Sequence, residues 1–92
     1  MVFRINTMIA IDIPPEKYFY GCDGSVIKTI HELPDALRNM SPEAFSCHVN
    51  EQKNDFYNWV KDVFELSGLA RNIKNVKRKE NMAKKVFIEI FS

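Results

Sequence analysis

Hydrophobic and polar positions alternate along the first thirteen residues, "MVFRINTMIAIDI", with Phe3, Ile5, Ile9, Ile11 and Ile13 on one side and Arg4, Asn6 and Asp12 on the other. A period of two with β-branched residues predicts a strand. "PPEK" (14–17) stops it, because a proline cannot donate to a ladder and disfavours helix in the residue before it. "KYFYGC" (17–22) reads as a second short strand that ends at the turn residues Gly21, Asp23 and Gly24, and residues 14–16 are placed to join the two as a hairpin. A hairpin alone is only marginally stable, so it has to pack on the rest of the chain.

From Thr29 onward the apolar positions repeat at helical intervals. "TIHE" (29–32) has capping-box spacing and leads into Ile30, Leu33, Leu37 and Met40. Pro34, the fifth residue of that helix, removes a backbone hydrogen bond and predicts a distorted first turn. "SPE" (41–43) is a stronger start, with Ser41 as cap, Pro42 in the first position and Glu43 at the positive helix end. Its helix is short, ending near 49–50, with Phe45, His48 and Val49 on one face. Asn54 caps the next helix, where Phe56, Trp59, Val60, Val63 and Phe64 form an unbroken apolar stripe. Ser67 is placed to cap another, carrying Leu69, Ala70, Ile73 and Val76.

Past Val76 the pattern divides. One long helix would continue through Ala83, Phe87 and Ile90, but it would put Glu80 on the apolar seam. A break near 77–79 and a second helix from about Glu80 fits better, with a strand over "VFIEIF" (86–91) as the alternative, since short apolar runs do not separate the two states. The expected fold is therefore mainly α: four or five short helices with a small N-terminal β element, or α+β if the last segment is a strand. One domain spans 1–92, divided into a strand or arm (1–17), a core (18–76) and a basic and apolar C-terminal helix (77–92).

Composition narrows the class. Hydrophobic residues make up 46% of the chain and aromatics 12%, enough for a packed core and too many for global disorder. A chain of 92 residues nevertheless buries only about 60–65% of the surface its unfolded form exposes, so its stability is marginal unless something assists. Two cysteines, Cys22 and Cys47, are too few to staple a secreted mini-domain. Arg4, Asn6 and Asp12 interrupt the only candidate leader, and no run approaches the ~20 apolar residues of a membrane helix. The expectation is a soluble cytoplasmic protein with reduced thiols and no membrane partner; Met8 is an alternative start. Net charge is +1 but unevenly spread: seven basic side chains against Glu80 make residues 71–85 +6, and the remaining chain −5. Such a molecule steers toward an anionic partner or toward another copy of itself.

The chemistry-bearing residues are few. Two Cys and two His are the inventory of a tetrahedral zinc site, but no C-x₂₋₄-C or H-x₃₋₅-H pair exists, and Cys47 and His48 point about 100° apart on a helix. No metal and no cofactor is expected. Cys47 reads as a small buried hydrophobe, and no second group aimed at it marks it as a nucleophile. His48 reads as a core-edge ring bonded to Asn54 or Asp55 just beyond the loop, so that His48, Asn54, Asp55 and Asp23 are a candidate polar site or structural clamp. Phe56, Trp59 and Phe64 are core; Tyr57 lies off their stripe and is the one aromatic left to face solvent. Arg71, Lys74, Arg78 and Lys85 are candidate phosphate contacts, three of them aligned if the helix were continuous. No nucleotide-binding, hydrolase or nucleic-acid-module motif accompanies them.

Taken together, "FYGCDGSVIKTIHELPDAL" (19–37), "MSPEAFSCHVNEQKNDFYNWVKDVF" (40–64) and "LARNIKNV" (69–76) resemble a family of small, mainly archaeal domains of unknown function. The matching features are an aromatic strand ending in Cys22-Asp23-Gly24, a helix with Leu33 and Leu37, Phe45 three residues before His48, Asn54-Asp55-Phe56 leading to Trp59, and Leu69-Ala70. The resemblance covers about 19–76 and implies a shared compact fold; it brings no activity, since none is established for that family. Pro34 and the first dozen residues depart from it.

The functional expectation is a non-catalytic interaction or accessory module, homodimeric or bound to another protein. Its contact surface is expected at Phe3, Ile5, Ile9, Val86, Ile88 and Phe91, where apolar residues exceed what one helix face needs. The alternatives are nucleic-acid binding through the 71–85 face and a small-molecule or metal site around His48, Asn54 and Asp55.

Overall fold

Two adjacent prolines set the geometry at the start of the described chain. Pro14 is extended and Pro15–Lys17 closes one 3₁₀ turn, two of whose carbonyls accept from aromatic side chains. Tyr20 Oη donates to the Pro15 carbonyl at 2.6 Å and Trp59 Nε1 to the Lys17 carbonyl at 2.7 Å. The structure, a computed structural model, describes residues 13–91; the expected strand over 1–12, with Phe3, Ile5 and Ile9, lies outside the described residues.

Strand β1 (Phe19–Tyr20) pairs antiparallel with β2 (Val26–Ile27), Phe19 opposite Ile27 and Tyr20 opposite Val26. The hairpin expected across the prolines rests on residues 1–12 and so lies outside the described residues, whereas β1 folds forward over residues 21–25. The turn's own chemistry explains why. Asp23 Oδ1 accepts from the Ser25 amide at 3.0 Å and from its hydroxyl at 2.7 Å, and Gly24 takes φ +91°, where an L side chain would be strained. A Cβ on Gly21 would stand 2.6 Å from Ser25 Oγ and 2.8 Å from Asp23 Oδ1, so a larger residue there would displace the side chains that close the turn.

Five α-helices come next among the described residues: α1 (Leu33–Asn39), α2 (Pro42–His48), α3 (Asp55–Val63), α4 (Ser67–Ile73) and α5 (Lys79–Phe91). The fold is mainly α with a small β element. Thr29 Oγ1 does accept from the Glu32 amide, but it caps a 3₁₀ turn, Ile30–Glu32. That turn absorbs the distortion expected from Pro34, which then falls in the first turn of α1, where its missing N–H has no intrahelical partner to lose. Ser41 Oγ accepts from the Ala44 amide at 3.1 Å and Asn54 Oδ1 from the Tyr57 amide at 3.0 Å, each capping its helix. Ser67 does not cap α4. It is the first helical residue, and the preceding bend is made by Glu65 at φ 57°.

The long-helix alternative fails at residues 74–78, which are not helical, and α5 begins at Lys79. Glu80 is then exposed in the first turn of α5 and leaves the seam. Its own backbone N–H and the Lys79 ammonium hold its carboxyl below the usual range. The final segment is helix, not strand.

Helix α1 packs on α5, and α3 on α4. Ile27, Ile30, Leu33, Leu37, Phe56, Val60, Ile73, Met82 and Val86 have almost no accessible surface, and each such side chain contributes about 1.5–3 kcal/mol by leaving water. Val86 is therefore core and not interface: the helical period turns it inward while Phe87 and Ile88 turn out, which corrects its place in the expected contact surface. Among the described residues no helix is long and apolar enough to cross a membrane.

Candidate functional site

The C-terminus of α2 and the N-terminus of α3 are joined by residues 49–54, closed by the Asn50 amide bonded to the Lys53 carbonyl at 3.0 Å and a bridge between Val49 and Asn54. The reversal brings Asp55 back beside His48. His48 Nδ1 lies 2.9 Å from Asp55 Oδ2, and Lys53 Nζ reaches the same oxygen at 3.0 Å. On the other side of the ring, the Cys22 amide donates to His48 Nε2 at 3.0 Å. With Nε2 accepting, the ring's proton sits on Nδ1 and is donated to Asp55.

Aromatic walls frame this histidine. Phe19 stacks on Phe56 with centroids 4.4 Å apart, and the His48 ring stands edge-on to both, at 4.9 and 5.8 Å. Trp59 meets Phe19 at 5.6 Å. His48 is the one buried polar residue among the described residues, and both its nitrogens are bonded within the protein.

Asn54 has a different task from the one its neighbours suggest. While its Oδ1 caps α3, its Nδ2 donates to the carbonyls of Ile73 (2.9 Å) and Lys74 (3.0 Å) at the far end of α4. Asp23 stays in the β1–β2 turn, and Ser25's hydroxyl and amide hold its carboxyl below the usual range. The structure thus brings His48 and Asp55 into contact, gives Asn54 to α4, and leaves Asp23 outside the pair. Among the described residues no three His, Cys, Asp or Glu side chains gather where they can hold a metal ion.

The cysteines depart most from expectation. Cys47 is exposed, not buried, because α2 is short and Phe45 and His48 use up its inward face. Cys22 is exposed as well, with Sγ 3.8 Å from the Ala44 carbonyl one turn before Cys47. The neighbouring Cys47 thiol holds the Cys22 thiol above its ordinary range.

The basic residues are rearranged by the break between α4 and α5. Arg71 and Lys74 line a cleft of about 290 Å³ with Tyr57, Lys61, Ser67 and Ala70. Lys61 Nζ and Lys74 Nζ lie 5.4 and 5.6 Å from the half-buried Tyr57 ring. A second cleft, about 390 Å³, continues from Tyr57 and Lys74 past Lys53 and Lys77. Arg78 borders a third with Pro42 and Phe45, and Lys85 lies on α5, so the four expected phosphate contacts do not form one face. Sequence spacing had no means of finding Lys61 as their neighbour, because it comes from another helix.

On α5, Phe87 and Phe91 are 45% and 51% exposed with ring centroids 4.9 Å apart, and Ile88 is exposed beside them. Arg38 lies over Phe87 at 5.4 Å and His31 stands edge-on to Phe91 at the same distance. A comparison with family models finds no match, and comparisons with curated proteins and with solved structures find none either.

Proposed function

We propose that this protein is a non-catalytic interaction module that works as a homodimer through the outer face of α5. The observation that carries this reading is the exposed Phe87–Phe91 pair, two large aromatic side chains in contact on a helix whose other face is already core. Buried aromatics dominate the energy of most interfaces, and a chain of this length gains from covering apolar surface it cannot bury alone. Lys84 and Lys85 precede the pair and Glu89 lies within it, so two copies of α5 crossing antiparallel bring opposite charges together. Light scattering over a concentration series is expected to give a dimer mass at both low and high salt. Phe87→Ser with Phe91→Ser, a change to exposed positions, is expected to return the mass to that of a monomer. A monomer at every concentration in the unaltered chain would sink the proposal.

A second reading is favoured by the cleft around Tyr57, where Lys61, Arg71 and Lys74 converge from two helices and the loop after them. It takes a single-stranded nucleic acid, held by its phosphates. Polarisation of a labelled oligonucleotide is expected to show affinity falling with salt, and Lys61→Ala, Arg71→Ala and Lys74→Ala together to reduce the slope of log K against log salt by about 2. Unchanged binding in the triple variant would remove this reading.

A further inference from the structure

Cys22 and Cys47 are 25 positions apart in sequence, yet the fold anchors Cys22 at two points to α2, the helix that carries Cys47. The Cys22 amide is held by His48, the residue next to Cys47, at 3.0 Å. The Cys22 sulfur rests 3.8 Å from the Ala44 carbonyl, and Ala44 and Cys47 share one ridge of α2 at i, i+3. The turn that carries Cys22 is itself set by Asp23, Gly24 and Gly21, so the thiol's position is fixed by a specified backbone. Both cysteines are exposed. Neither has a part in the core, and neither is used by the α5 face or the Tyr57 cleft.

We propose that Cys22 and Cys47 are a redox-responsive dithiol pair, which closes to a reversible disulfide linking the β1–β2 turn to α2. The oxidant is a small-molecule disulfide. Cys47, having lost its proton, attacks one sulfur of that disulfide, forming a mixed disulfide and releasing one thiolate. Cys22, deprotonated in turn, attacks the Cys47 sulfur, forms the Cys22–Cys47 bond and expels the second thiolate. The two cysteine protons end on the two released thiolates, so the protein is oxidised by two electrons and the small disulfide is reduced to two thiols. The order follows from the neighbouring Cys47, which raises the Cys22 thiol above its ordinary range and makes it the slower of the two to ionise. Closure would fasten the turn to the helix at the point where the His48 bond already joins them.

The test uses the full chain, reduced and then equilibrated with glutathione and glutathione disulfide in varied ratio, quenched with acid and alkylated. The expected product is a single chain, not covalently linked to another, lighter by two hydrogens, with no alkylated thiol and a melting temperature raised by several degrees, all reversed by excess glutathione. Cys22→Ser and Cys47→Ser are each expected to stop at a single glutathione adduct without the rise. Two glutathione adducts on the unaltered chain, no reaction, or only intermolecular disulfides would each overturn the pair.

Discussion

His48 shows how a sequence position acquires a role only through its partners. Its ring has two nitrogens, and both are spent: Nδ1 on Asp55 and Nε2 on the Cys22 amide. A general base needs a free lone pair near solvent, and the proton-accepting nitrogen here is filled by a backbone donor from 26 residues away. The residue is therefore read as a clamp that ties the β turn, the end of α2 and the start of α3. Replacing His48 by Ala leaves the Cys22 amide without its partner and the Asp55 carboxylate with Lys53 alone. That is expected to lower stability by about 1–3 kcal/mol, measured as a fall in the urea midpoint with an unchanged slope. A variant as stable as the parent would mean that the ring holds nothing together.

At the scale of elements, the bend between α3 and α4 carries backbone strain. Glu65 takes φ 57°, a left-handed conformation that strains a side chain by about 1–2 kcal/mol relative to its usual one. Glycine removes that strain but loses more backbone entropy on folding, by roughly 0.5–1 kcal/mol. Glu65→Gly is thus expected to stabilise the protein by up to about 1.5 kcal/mol, seen as a melting temperature higher by about 4–8 °C for each kcal/mol gained. A lower melting temperature would show that the Glu65 side chain contributes more than its backbone costs. This bend is also where the sequence misleads: Ser67 looks like a cap because serine often is one, but the chain turns two residues earlier. The helices with a local start signal, Ser41 and Asn54, were legible because a cap and its first-turn amide are near neighbours. The break before α5 was legible too, through the cost of placing Glu80 on an apolar seam. The contact of His48 with Asp55 was legible as well, because only a short loop separates them, but other contacts across the fold were not. The pairing of β1 with β2, the Asn54 bond to α4, the meeting of Lys61 with Arg71 at the Tyr57 cleft and the approach of Cys22 to the helix of Cys47 depend on residues 6 to 25 positions apart, and no periodicity encodes them.

For the molecule as a whole, charge and apolar surface make different demands. The +6 of residues 71–85 and the −5 of the remainder favour association at low ionic strength, when charges are screened least. The aromatic face of α5 has no such dependence. Salt therefore separates the two modes of association: a dimer held by Phe87 and Phe91 keeps its mass as salt rises, and one held by charge dissociates. The Asn54 side chain has a further consequence at this scale. By bonding the first turn of α3 with its carbonyl and the last carbonyls of α4 with its amide, it makes two short helices share one fastening. Neither end frays without disturbing the other, so the pair opens as one cooperative unit, and its amide protons exchange with solvent through a single common event.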